Sequence, residues 1–139
     1  MEIHRPIPGW IPSTPDVRGG AVDEFVERHP AIAIHFWAPG NGSDPPMDRG
    51  IQAIAERFSP RVAFFSCNVD LPDNAAWCRR CGVATVPTLA TWVSGELRGL
   101  IVGCREPDQL AAEIESLLAP ARKPLLMFFS PRPTSSTRS

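Results

Sequence analysis

Two of the four cysteines form a CxxC motif, Cys78-Arg79-Arg80-Cys81. Such a pair can carry out thiol–disulfide exchange, and guanidinium groups nearby lower the pKa of a thiol. The motif is predicted in the C-terminal half of a helix, however, where the negative end of the helix dipole disfavours a thiolate. Three interpretations stay open for Cys78 and Cys81: ordinary helix thiols, which we favour, a redox or regulatory pair, or metal ligands.

The remaining two cysteines lie apart from the motif. Cys67 stands within an apolar segment and is expected in the core, whereas Cys104 follows Val102 and Gly103. The spacing of the four cysteines matches no standard zinc site, and no histidine follows the motif to complete one. We therefore expect no metal and no cofactor.

The composition describes an ordinary globular chain. Its 139 residues carry a net charge of −1 and are 43% hydrophobic and 21% charged, which gives no electrostatic footprint for nucleic acid. No apolar run approaches the roughly 20 residues that span a bilayer. The segment 1–15 contains four prolines and no apolar stretch of the secretory kind. A cytoplasmic location is expected, where cysteines remain reduced.

Hydrophobic periodicity predicts helices alternating with strands, closed by a β-hairpin. Such an order is typical of an α/β fold with three layers, in which helices cover both faces of a mixed central sheet of four to five strands. The fifth strand would come from the N-terminal arm. The predicted elements are a helix at 21–29, a strand at 31–38, a helix at 45–58, a strand at 61–70, a helix at 72–83, a hairpin at 87–103 and a helix at 106–119.

Three segments follow from this pattern. An irregular arm, 1–19, is rich in proline and glycine, the domain spans 20–119, and 120–139 form a C-terminal extension whose last part is expected to be disordered. The apolar segment 125–129 is expected to pack back on the domain in preference to docking a partner. Within the domain, Asp44 is the predicted N-cap of the helix that starts at Pro45.

Five short motifs, taken in this order of elements, resemble thioredoxin. They are Phe-Trp-Ala at 36–38, Asn-Val-Asp at 68–70, Val-Pro-Thr at 86–88, Ser-Gly-Glu at 94–96 and Val-Gly at 102–103. The resemblance covers about residues 20–119 and implies the thioredoxin fold, in agreement with the predicted elements.

The resemblance also locates the positions where thioredoxins carry their redox tetrad, Cys-Gly-Pro-Cys. These positions hold Asn41, Gly42, Ser43 and Asp44 here, and an asparagine forms neither a thiolate nor a mixed disulfide. Thioredoxins place a buried aspartate before Phe-Trp-Ala, where this chain has His35. We expect His35 to be a hydrogen-bonded strand residue, not a catalytic base.

Other parts of the family's peptide-binding site are retained. The resemblance implies a cis peptide bond at Pro87, which lines a groove for extended peptides or serves only to join helix and hairpin. It also implies that Cys104 borders the same corner, which makes it the cysteine best placed for residual chemistry. The expected groove residues are Trp37, Gly42, Val86, Pro87, Val102 and Gly103.

Three functions remain to be compared. The first is a redox-inactive, thioredoxin-like accessory factor or chaperone that binds a protein or peptide, similar to the accessory proteins of bacterial hydrogenase maturation in its segments 9–12, 22–30 and 97–103. The second is a thiol–disulfide oxidoreductase that uses Cys78 and Cys81, or Cys104. The third is a structural subunit assembled through the apolar tail. We expect a monomer or weak homodimer that binds neither nucleic acid nor membrane.

Overall fold

The helices and strands follow the predicted order. The computed structural model describes residues 8–19 and 22–120. Its elements are α1 (Val22–Arg28), β1 (Ala31–Trp37), α2 (Asp44–Phe58), β2 (Ala63–Asn68), a 3₁₀ turn (Pro72–Asn74), α3 (Ala75–Cys81), β3 (Thr88–Val93), β4 (Glu96–Val102) and α4 (Pro107–Leu118).

A mixed sheet of four strands forms the centre of the fold, in the order β2-β1-β3-β4. β1 pairs with β2 in parallel and with β3 in antiparallel fashion, and β3 and β4 form the predicted antiparallel hairpin. The hairpin turn consists of Ser94 and Gly95, both at positive φ (51° and 82°), which suits the twist of the flanking strands. The predicted α/β fold is therefore confirmed, with four strands.

The N-terminal arm lies against the outer edge of β2. Ser66 N donates to Pro15 O and Val17 N donates to Ser66 O, each at 2.8 Å. These bonds make an isolated parallel bridge between Asp16 and Ser66, so the described part of the arm adds no fifth strand to the sheet. Ser13 N also donates to the buried carboxylate of Asp48 on α2. The arm is thus bonded to two elements of the domain.

Alternating side chains of β1 supply a core on each face of the sheet. Ile32, Ile34 and Phe36 pack with Trp77 of α3 on one face. Ala31 and Ala33 pack with residues of α2 and α4 on the other, among them Met47, Ile51, Ile54, Leu110 and Ile114. All seven residues of β1 are buried, as predicted from a sequence that is apolar at nearly every position.

Two further predictions concern the C-terminal end of α3 and the segment at the C-terminus of the chain. Gly82 follows α3 with φ 81° and its N–H returns to Arg79 O, which is the glycine C-cap predicted from the sequence. The prediction for segment 125–129 falls outside the described residues. No helix in the described ranges is long and apolar enough to cross a membrane.

Candidate functional site

The candidate site is the corner where β1 turns into α2. Asn41 N donates to Ala38 O and Asp44 N donates to Asn41 O, both at 3.2 Å, so the connecting turn is closed by backbone bonds. The Asn41 side chain adds a further bond, in which its Oδ1 accepts from Ser43 N at 2.8 Å. Residues 41–44 therefore form an ordered turn at the N-terminus of a 15-residue helix.

Asp44 does not act as the N-cap predicted from the sequence. The N-cap is Ser43, without a side-chain cap bond, and the helix begins at Asp44, one residue earlier than expected. The Asp44 carboxylate is fully buried and points away from the helix end: Oδ1 lies 2.9 Å from His35 Nε2, and Oδ2 accepts from Ala38 N at 3.0 Å. The prediction is wrong because two donors beneath the turn bind both carboxylate oxygens.

His35 lies on β1 beneath the turn, also without solvent exposure. It is a hydrogen-bonded strand histidine, as expected, but its partner, Asp44, was not foreseen from the sequence. Within the described ranges, no hydrogen-bond partner faces its second ring nitrogen, Nδ1. A buried imidazole and a buried carboxylate therefore stabilise one another at the base of the corner.

The loop that carries Pro87 lies beside this corner. The Val86–Pro87 peptide bond is cis, as the resemblance implied. Asn41 Nδ2 donates to Val86 O at 3.4 Å, and Gly103 N donates to Pro87 O at 2.9 Å. The loop is thus bonded on one side to the turn before α2 and on the other to the end of β4.

The six predicted groove residues differ in exposure. Trp37 is buried, and its ring contacts Trp10 of the arm edge-on, with centroids 5.6 Å apart. Pro87 is also buried. Val102 is 47% exposed, and the half-buried members are Gly42, Val86 and Gly103. The accessible members of the predicted groove are therefore glycines and valines, whereas Trp37 and Pro87 are buried.

Cys104 borders the corner, where the resemblance placed it. Its Sγ donates to Ser43 O at 3.0 Å, and the thiol lines a cavity of about 470 Å³ together with Arg49 and Arg105. Burial raises the pKa of the Cys104 thiol, and the Asp44 carboxylate raises it further, whereas the two arginines act in the opposite direction. The surroundings therefore favour the protonated thiol over a nucleophilic thiolate.

Cys81 is the last residue of α3, as predicted, whereas Cys78 lies at the middle of this short helix, and both side chains are buried. Burial raises the pKa of Cys78 although the Arg79 guanidinium lowers it. Cys67 is fully buried in β2, where burial raises its thiol pKa well above the usual range. All four cysteines are thiols, and burial raises the thiol pKa of Cys67, Cys78 and Cys104.

Gly103 allows a test of the contact between β4 and the Pro87 loop. Its φ of 89° is strained for any residue with a Cβ atom, and its N–H holds Pro87 O. We expect Gly103→Ala to lower the free energy of unfolding by about 1–2 kcal/mol, measured by urea denaturation. Gly50→Ala is the matched control: the new Cβ on helix α2 would make ordinary contacts at 3.6 Å, and alanine favours a helix by about 1 kcal/mol. If Gly103→Ala and Gly50→Ala have equal urea midpoints, the inferred strain of a side chain at position 103 is wrong.

Comparison with known proteins identifies the family. The thioredoxin family profile matches residues 16–116. The chain belongs to the thioredoxin family. It is 30% identical over 87 residues to the chloroplastic M-type thioredoxin of Brassica napus, covering 63% of this chain and 48% of that one. It is 25% identical over 107 residues to a thioredoxin of Synechocystis, covering 76% and 98%.

Solved structures of thioredoxins share the fold. A mutant thioredoxin from Halobacterium salinarum superposes with a TM-score of 0.66 at 26% identity, covering 78% of this chain and 93% of that one. Mitochondrial thioredoxin 3 of Saccharomyces cerevisiae gives 0.66 at 23% identity, covering 75% and 95%. This thioredoxin-family chain spans about half the length of the chloroplastic relatives.

The family resemblance contains one clue to the buried pair of His35 and Asp44. By the resemblance, His35 stands where thioredoxins bury an aspartate, and Asp44 stands where they carry the second cysteine of the tetrad. In this thioredoxin-family chain the two positions are in contact, with an imidazole and a carboxylate 2.9 Å apart. The replacement of both family residues by a histidine and an aspartate, which can bind one another, was therefore the available evidence for the pair.

Proposed function

We propose that this thioredoxin-family chain is an accessory factor that binds protein segments and performs no disulfide exchange at the β1–α2 corner. The observation that carries the proposal is the bonding of Asp44: its carboxylate is buried and bound to His35 and Ala38 at the position of a family cysteine. A group held in this way stabilises the turn and offers no nucleophile to a disulfide.

The surroundings of Pro87 support peptide binding as the function of the corner. The loop is bonded to both neighbouring elements, so its backbone is already ordered before a ligand arrives. A pre-ordered surface reduces the entropy lost on binding. The aliphatic side chains of Val86 and Val102 lie at its accessible edge and can contact alternate side chains of an extended segment.

A chaperone-like role in hydrogenase maturation is the more specific form of the proposal. It is supported by the resemblance of segment 9–12 to the accessory proteins of that pathway and by the packing of Trp10 on Trp37, next to the corner. The expected partner is a signal-bearing hydrogenase small subunit. A reducing, cytoplasmic location is part of the same proposal, because all four cysteines are thiols.

Peptide titration tests the proposal. The probe is a synthetic peptide with the signal sequence of a hydrogenase small subunit, compared with the same residues in scrambled order by calorimetry. We expect Val86→Asp to weaken binding at least about tenfold, because it places a charge on the aliphatic contact surface. Leu97→Asp is the matched control, since Leu97 is 37% exposed at the opposite end of β4.

The outcomes distinguish a role in hydrogenase maturation from peptide binding in general. If the signal peptide fails to bind but extended peptides from an array do so in a Val86-dependent manner, hydrogenase maturation is excluded and the groove is retained. If no extended peptide binds, or if Val86→Asp and Leu97→Asp behave alike, the binding function is wrong. Insulin reduction that depends on Cys78, Cys81 or Cys104 would establish the oxidoreductase instead.

A further inference from the structure

The N-terminal arm binds a surface formed by β2, α2 and the end of β1. Its backbone pairs in parallel with Ser66 on the outer edge of β2. Ser13 donates from its backbone N and from Oγ to the buried carboxylate of Asp48, each at 3.1 Å. Trp10 lies edge-on to Trp37, with ring centroids 5.6 Å apart. The arm thus contacts the domain as an extended peptide contacts a receptor, through backbone bonds at a strand edge and a few side-chain anchors.

The packing beneath the arm is incomplete. A cavity of about 380 Å³ lies between the arm and the sheet, and its lining includes Ile11 and Thr14 of the arm and Trp37 and Leu71 of the domain. Ile11 remains 70% exposed although its side chain is large and apolar. Protein cores contain few voids larger than a water molecule. The arm is therefore held by separate contacts and not by continuous apolar packing.

Two buried polar atoms in the lining of this cavity lack a hydrogen-bond partner among the described residues. They are Thr14 Oγ1 and Trp37 Nε1. Such atoms cost free energy, because they lose their bonds to water without replacement. When the arm opens, water can reach both atoms and this cost is removed. We therefore expect the arm to open locally at a lower free energy than unfolding of the domain requires.

We propose that the arm is an internal ligand, and that the surface beneath it binds an extended segment of a partner protein when the arm opens. This surface, the arm site, consists of Trp37, Asp48 and Ser66. The arm itself indicates the chemistry of the partner: an aromatic ring to contact Trp37, an N–H or hydroxyl donor for Asp48, and extended backbone to pair with Ser66. The arm site goes beyond the groove at Pro87 and does not rest on it.

The arm and the partner exclude one another, because both use the same three residues. The arm is attached to the domain, so its effective concentration at the arm site is high. The measured affinity for the partner is therefore reduced in proportion to the fraction of molecules in which the arm is open. Weakening the arm's own contacts should raise that affinity.

A peptide with the sequence of the arm tests the competition. The probe is a fluorescein-labelled peptide of residues 8–18, added to the full chain and followed by fluorescence anisotropy, and the NMR amide signal of Ser66 verifies where it binds. Trp10→Ala in the chain weakens the internal ligand and leaves the arm site intact. We expect this variant to bind the probe at least about fivefold more tightly than the wild type does. Ile11→Ala, at a position 70% exposed, is the matched control, with an expected change below about twofold.

Hydrogen exchange measures the opening of the arm without a ligand. Val17 N and Ser66 N donate the bonds between the arm and β2, whereas Ile34 lies in β1, which is paired on both sides. We expect Trp10→Ala to accelerate amide exchange at Val17 and Ser66 at least about threefold and to leave exchange at Ile34 unchanged.

Four results would each overturn the proposal. The arm does not compete if the probe binds the wild type and Trp10→Ala equally. The aromatic requirement is wrong if a probe with alanine in place of tryptophan binds as tightly as the native probe. If Val17 and Ser66 exchange no faster than Ile34 in both proteins, the arm opens only when the domain unfolds. Arm-dependent dimers in size-exclusion chromatography would identify a second copy, and not a partner protein, as the occupant.

Discussion

Replacing Asp44 with alanine is expected to lower the free energy of unfolding by about 3–5 kcal/mol, the usual loss when one member of a buried pair is removed. The substitution leaves His35 Nε2 and Ala38 N without acceptors at a site closed to water. Unsatisfied buried groups are costly because they lose their bonds to water without replacement. Urea denaturation followed by circular dichroism measures the change.

The control and the double variant make this prediction specific. Asp70→Ala removes an exposed carboxylate and is expected to change stability by less than about 0.5 kcal/mol. His35→Leu/Asp44→Leu removes both side chains of the pair and leaves only Ala38 N without its acceptor, so we expect its loss to be smaller than the sum of the two single losses. If Asp44→Ala is as mild as Asp70→Ala, or if the leucine effects add, the pair does not stabilise the corner.

Restoring the family's residues is expected to restore disulfide reductase activity. The variant His35→Asp/Asn41→Cys/Asp44→Cys places a cysteine at the turn before α2, a second at the first helical position, and an acidic group beneath it. A thiol at a helix N-terminus has a pKa of roughly 3.5–7.5, compared with about 8.5 for a free cysteine, so a much larger fraction is thiolate at neutral pH. Reduction of insulin by dithiothreitol, followed as turbidity, measures the gain over the wild-type chain.

A serine variant controls for the altered fold of the corner. His35→Asp/Asn41→Ser/Asp44→Ser has the same shape without sulfur and should equal the uncatalysed rate. Asn41→Cys/Asp44→Cys with His35 retained covers the case in which the buried aspartate prevents folding, and circular dichroism verifies each fold. If the folded cysteine variants reduce insulin no faster than the serine variant does, the corner lacks the geometry of a redox site.

The sequence predicted the elements of the fold well because their signals are local. A segment that is apolar at every position but His35 identified β1 as a strand buried on both faces, and the fold places it between β2 and β3 in the sheet. Ser94 and Gly95 marked the hairpin, and Gly82 marked the end of α3. In each case the residue's own conformational preference agrees with the conformation that it adopts.

The site was predicted less completely because its contacts join distant segments. Asp44 has the preferences of an N-cap, and nothing in its neighbours along the chain indicates that His35 binds its carboxylate more favourably. Trp37 contacts Trp10 of the arm, a segment predicted only as irregular. The burial of Cys67 in one cluster with Cys78 and Cys81 likewise depends on where α3 crosses the sheet, whereas the sequence drew attention only to the CxxC spacing.

The hydrogen bonds between the arm and Ser66 affect how readily the protein aggregates at high concentration. An open strand edge presents unpaired N–H and C=O groups along which a second copy can add and start a fibrous aggregate. In this protein the backbone N–H and C=O of Ser66, in the second half of β2, are already bonded within the molecule. The proline-rich arm therefore occupies part of the outer edge of β2, and we expect it to hinder the addition of a second copy at that position.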